Sequence, residues 1–184
     1  MACLVSAGRA LPCKDVVGGI TAVYFVNFDT LGTITVSATT DEVTDVALSP
    51  SVYKYDLKGD SSFEQTVNSS RATGTTFYEQ TLTLTLTKLS SVDNKQLKLL
   101  AYGRPQVVVV DYNGNAFMMG LENGADASAG TISTGTAMGD LSGYTMTLVA
   151  NEKLPANFMS GATDADPFAG MSTGNPTIVF GSNS

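Results

Sequence analysis

The chain contains no histidine. That single absence removes the usual general base, the usual zinc ligand and the usual charge switch near neutral pH. Tryptophan is missing too, and the two cysteines, Cys3 and Cys13, are too few for a metal cluster. Their spacing fits either a disulfide or two reduced neighbours. Charge is scarce: 15% of residues are charged, against roughly 25% in a typical globular domain, so serine, threonine, asparagine and glycine must form much of the polar surface. Ten Lys and Arg against seventeen Asp and Glu leave a formal net charge of −7, which argues against a surface built to grip phosphates. No stretch approaches the ~20 apolar residues of a membrane helix. The opening MACLVSAGRALPCKD lacks both the basic start and the uninterrupted apolar run of a secretory signal. The expectation is a soluble chain, made in a cytoplasm, with no membrane partner.

What is present is β pattern. Thr81 to Lys88 reads TLTLTLTK, which places Leu82, Leu84 and Leu86 on one face of a strand and Thr81, Thr83, Thr85 and Thr87 on the other. Further strands are predicted within Val16 to Phe28, over Thr33 to Thr40, Val52 to Leu57, Ser62 to Ser70, the apolar run Val107 to Asp111 with its return Asn115 to Met119 across Asn113-Gly114, and Tyr144 to Val149. The segment between the second and third of these is too broken to assign. One helix is predicted from about Ser91 to Tyr102, opened by Ser90 with Asp93 three residues on, closed by a left-handed Gly103, and buried along Leu97, Leu100 and Ala101. Gly120 to Gly143 reads as one long glycine-rich loop, a length expected only where a loop is functional or ordered by a partner. The fold class expected is all-β with one short helix, an antiparallel β-sandwich over residues 1–158 followed by an extended C-terminal arm over residues 159–184. A flexible tail fits that last segment equally well.

Several features imitate active sites. Asp41, Glu42 and Asp45, with Asp164 and Asp166, are oxygen-rich enough for a hard cation, yet neither group has the ligand spacing of a binding loop and solvated acidic loops explain them. GLENGADASAG has glycines but lacks the lysine of a phosphate-binding loop and joins no strand to a helix. Serine and threonine abound, but without histidine only a Ser-Lys or N-terminal arrangement would activate them, and no SxxK occurs. The chain therefore reads as a non-enzyme with no cofactor, no metal and no catalytic residue. Met118, Met119, Met138 and Met146 gather in the second half, mostly as core filling; Met138, inside the glycine-rich segment, is the one expected at an interface.

Two strings, SAGRALPCKDVVGGITAVYFVNF and VVVVDYNGNAFMMGLENGADASAGTISTGTAMGDLSGYTMTLVANEKLPANF, resemble virion proteins of tailed bacteriophages. The second is similar to tail-tube proteins, the major tail protein family, in its hairpin at Gly114, the Gly-Leu-Glu-x-Gly run from Gly120 to Gly124, Thr134 to Thr136, Asp140, Gly143-Tyr144, and Glu152 with Pro155. The resemblance implies a tail-tube-type fold of packed antiparallel sheets, a homo-oligomer of hexameric rings stacked into a tube, other phage tail proteins as partners, DNA passing through without specific binding, and location in the virion tail. On this resemblance Glu122, Gly124, Thr134, Met138 and Asp140 are expected at the assembly interface. Thr39 to Arg71 carries no such likeness, which leaves a related ring, adaptor or baseplate component open. A carbohydrate-binding β-sandwich module is a further alternative, with Tyr53, Tyr55 and Tyr112 as its candidate aromatics.

Overall fold

Residues 5 and 7–181 are described by the structure, a computed structural model. The disulfide question for Cys3 falls outside those residues; Cys13 is exposed. In chain order the elements are β1 (Ile20–Val26), β2 (Ile34–Val36), β3 (Val43–Val46), β4 (Ser51–Asp56), β5 (Ser62–Ser70), β6 (Thr75–Thr87), α1 (Ser91–Tyr102), β7 (Gln106–Asp111), β8 (Ala116–Met119), β9 (Asp126–Ser133), β10 (Gly143–Glu152), β11 (Asn157–Phe158) and β12 (Thr177–Phe180). Among the described residues the fold is all-β, with several antiparallel sheets and one helix.

The continuous apolar runs of β1 and β7 have a direct cause. Both are central in a six-stranded sheet, order β11-β8-β7-β1-β4-β12, that is buried on both faces. One face, with Val23, Phe25, Val107, Val109 and Met119, packs against Leu82, Leu84, Met146 and Leu148 of a second, four-stranded sheet, and against Leu97 of α1. The opposite face, with Ala22, Tyr24, Val26, Val108, Val110 and Met118, is covered by Leu31, Val43 and Val46 around the β2–β3 pair and by Met159 and Phe168 from the C-terminal segment. A strand with two dry faces has no polar positions to alternate. The four-stranded sheet, order β5-β6-β10-β9, has only one covered face and therefore alternates: Leu82 and Leu84 are fully buried, whereas Thr81, Thr83 and Thr85 are half-exposed.

Capping fixes where α1 begins. The Ser90 side chain accepts a hydrogen bond from the Asp93 amide at 3.0 Å, and the Tyr144 hydroxyl of β10 donates to the Ser90 carbonyl at 2.8 Å. Its end differs from expectation. Gly103 is extended (φ −88°) rather than left-handed, because Pro105 disfavours helical geometry at Arg104 and the chain runs straight into β7. Ala101 is exposed, so the buried stripe is Leu97 with Leu100 only partly covered.

Two further expectations are corrected. The strand expected over Thr33 to Thr40 is limited to Ile34–Val36, since the Ser37 hydroxyl accepts from the amides of Thr39 and Thr40 and turns the chain. The turn returns it as β3, from the stretch that pattern left unassigned. Gly120 to Gly143 is not one loop: it contains β9, paired antiparallel with β10. Small, mostly exposed residues build that edge strand, and only Ala127 packs toward the core, so no large side chains mark its period. Residues 159–181 lie on their own chain, where β12 pairs in parallel with β4 and Phe168 is 1% exposed.

Candidate assembly surface

The outer face of the four-stranded sheet is assembled by register. Across it, Ser62 stands opposite Thr83, Thr83 opposite Thr147, and Thr147 opposite Ala129; beside that row, Thr85, Thr145 and Thr131 form another. Glu64, Thr81, Val149 and Asp126 form a third row, and Glu79 follows with Thr66 and Asn151. Facing residues on these strands give a face of hydroxyls and small groups, acidic toward one end and without a lysine or arginine in these rows. Both bounding strands, β5 and β9, are sheet edges. An edge leaves a row of unpaired backbone donors and acceptors, which a second chain can complete. In β9 a bulge at Ser128 interrupts the pairing with β10, so the regular part of that edge is Ala129 to Ser133.

The five residues expected at an interface fall into two groups, separated by the length of β9, about 23 Å at ~3.3 Å per residue. At one end Glu122 is exposed and pairs with Lys153 at 3.2 Å. Nearby Gly124 is buried at φ +74°, where an added Cβ would sit 2.7 Å from the Arg104 carbonyl oxygen and 2.9 Å from the Phe28 ring. Gly124 is thus a packing residue of the β8–β9 turn. At the other end Thr134, Met138 and Asp140 are all exposed on the β9–β10 connection.

The Glu122 turn is anchored by a residue singled out only within the resemblance. Glu152 is 3% exposed, and its Oε1 accepts from the backbone amides of Asn123 at 2.8 Å and Glu122 at 3.1 Å. Burial pushes its pKa above the ordinary glutamate value, while those two amides pull it partly back. A raised carboxyl pKa means that ionising the group weakens the fold: its contribution is complete below the unfolded-state value and is lost as pH rises through the folded-state value. Glu152→Gln stays neutral and keeps an acceptor for the amides. Wild type should therefore gain stability relative to Glu152→Gln as pH is lowered from neutral toward the ordinary glutamate range, and a pH-independent difference in thermal midpoint would refute this. Glu152→Ala should cost about 1–3 kcal/mol in the ordinary glutamate range, because it strands the amides, and less as pH rises.

Two of the acidic residues weighed as a cation site, Asp45 and Asp166, bond within the chain itself. Asp45 accepts from the amides of Ser172 and Thr173 at 3.2 and 2.9 Å and from both their hydroxyls, tying the C-terminal segment to β3; these bonds hold its pKa well below the usual range. Asp166 accepts from the Phe168 amide at 2.8 Å. Among the described residues no three His, Cys, Asp or Glu side chains come together as a metal site. Tyr53 and Tyr55 share a face of β4, but Tyr112 lies apart from them. Tyr53 pairs with Phe25 and Tyr112 follows the partner of Ile20, which puts them at opposite ends of β1, about 17 Å apart.

Pattern did not reveal a cleft of about 420 Å³ beside α1, lined by Phe25, Phe28, Tyr53, Tyr55, Leu99 and Arg104 among others. The Arg104 guanidinium lies 4.0 Å from the Phe28 ring centroid. Its residues come from three separate stretches of chain, and no local signal joins them. No known protein family, characterised protein or solved structure matches the chain.

Proposed function

We propose that the chain is a structural subunit of a bacteriophage tail, forming stacked homo-oligomeric rings whose four-stranded sheets join into the tube through which DNA is ejected. The observation that carries this reading is the hydroxyl-rich face, without lysine or arginine in its central rows, of a sheet with two free edges. Strand directions favour closure: β5, β6, β10 and β9 alternate in direction, so under a cyclic operation β9 of one copy meets β5 of the next antiparallel, the geometry of a good ladder.

Size agrees with the role. Six copies of a four-stranded sheet, at ~4.8 Å between strands and a tilt of ~40°, close into a barrel of about 48 Å backbone diameter. Side chains on the inner wall still leave a bore wider than a DNA duplex. Threonines and a few carboxylates along that wall offer phosphates no cation to bind, so DNA would slide without adhering.

A ring, adaptor or baseplate component would use the same closure with fewer stacked copies. Electron microscopy and sedimentation of the purified chain decide: rings or tubes that grow with concentration are expected. A strictly monomeric species at every concentration would overturn the reading, and glycan binding by that monomer would favour the carbohydrate-binding module instead.

A further inference from the structure

The connection from β9 to β10 is a shaped loop with an apolar apex. Oδ2 of Asp140 accepts from the amides of Thr136 at 2.9 Å and Ala137 at 2.7 Å, and the Asp140 amide donates to the Ala137 carbonyl at 3.1 Å. Between these bonded positions stands Met138, fully exposed, with Leu141 also exposed just beyond. Both amide bonds to the Asp140 side chain use Oδ2, which leaves Oδ1 open to a partner.

The cleft beside α1 has the opposite character. Its apolar walls include Leu99 and Tyr53, 52% and 43% exposed, and at its mouth Arg104 enters no ion pair or hydrogen bond among the described residues. No carboxylate lines it. An aromatic-walled cleft with an unpaired guanidinium suits an apolar side chain accompanied by a carboxylate.

The loop cannot fill the cleft of its own chain. The base of the loop lies at the start of α1, where Lys88 donates to the Ser142 carbonyl at 2.8 Å, whereas the cleft lies at the helix end. Twelve residues of helix separate them by about 18 Å. Two different patches at opposite ends of α1 can mate head to tail between copies, the contact type that builds rings and stacks.

We propose that Met138 of one copy inserts into the Phe25–Tyr53–Leu99–Arg104 cleft of a neighbouring copy, with Asp140 facing Arg104. The inference rests on the reading that the chain assembles with itself. Charge selects this occupant over another exposed apolar segment, the N-terminal stretch with Val5, Leu11, Val16 and Val17, because that stretch carries Arg9 and Lys14 against the single carboxylate Asp15. Methionine is well suited to an irregular aromatic pocket.

The test uses the full chain with Cys3→Ser and Cys13→Ser. Adding Met138→Cys and Leu99→Cys together should give, on mild oxidation, a ladder of disulfide-linked oligomers that neither single substitution produces. Separately, Met138→Asp should leave the thermal midpoint unchanged, since the side chain is exposed, and weaken association at least about ten-fold by sedimentation. Wild type that assembles while Met138→Asp assembles equally well, or a ladder that forms from Leu11→Cys with Leu99→Cys and not from the Met138 pair, overturns the insertion and leaves the tube reading standing. Wild type that never assembles removes both.

Discussion

A chain cut after Phe158 is expected not to fold. The residues it loses complete one of the two covers of the central sheet, beside the β2–β3 pair: Met159 and Phe168 are buried against Ala22, Tyr24, Val26, Val108, Val110 and Met118, with Ala162, Met171 and Ile178 packed alongside. Losing Phe168 alone should cost about 3–5 kcal/mol, and a domain of this size commands only about 5–15 kcal/mol in total. Truncation also removes β12 from the edge of β4 and the partners of Asp45. Fit there is close: a Cβ on Gly174 would lie 2.3 Å from the Val46 carbonyl oxygen. Circular dichroism and a thermal melt of the 1–158 fragment check this, with Phe168→Ala in the full chain as the milder companion. Should the fragment melt cooperatively near the full-length midpoint, residues 159–184 would instead be an appendage to an independent domain.

That segment shows where pattern stops being informative. Residues 159–181 bury Met159, Pro167, Phe168 and Pro176, and partly Ala162, Met171 and Ile178, at intervals that keep no constant helix or strand period, because an irregular chain covers a sheet wherever a side chain happens to reach it. Periodicity can report a regular element only when one of its faces is buried by large residues. β6, α1 and the β7–β8 hairpin satisfy that condition and were legible, the helix down to both end residues. β9 fails it, being an edge of alanine, glycine and serine. Of the candidate site, exposure of Met138 followed from its glycine-rich surroundings, but the separation of Glu122 and Gly124 from Thr134, Met138 and Asp140 required knowing that a strand runs between them. Arg104 and Phe28 carry no local signal at all; they meet because the antiparallel β1–β7 register, ending with Val26 opposite Gln106, runs on to bring position 28 beside position 104, and Gly124 packs against both.

The two faces of the TLTLTLTK strand should differ measurably in what a substitution costs. Leu84 is fully buried between the two sheets, opposite Met146 of β10, and Leu84→Ala should cost about 2–5 kcal/mol through lost transfer energy and the cavity left behind. Its neighbour Thr83 faces outward between Ser62 and Thr147. Thr83→Ala removes only a half-exposed hydroxyl and methyl from that face, and should stay within about 0.5 kcal/mol of wild type. Urea unfolding of the two variants at equal protein concentration measures the ratio directly, and it must be read on unassembled protein, since association adds its own stabilisation. On assembled protein the order could narrow: if Thr83 lines a closed barrel, its substitution acts on a wall shared by every copy, yet still without breaking a core. Equal costs for the two substitutions in the monomer would mean that both faces of the sheet are buried within one chain, and the hydroxyl face would then have no surface left to offer a bore.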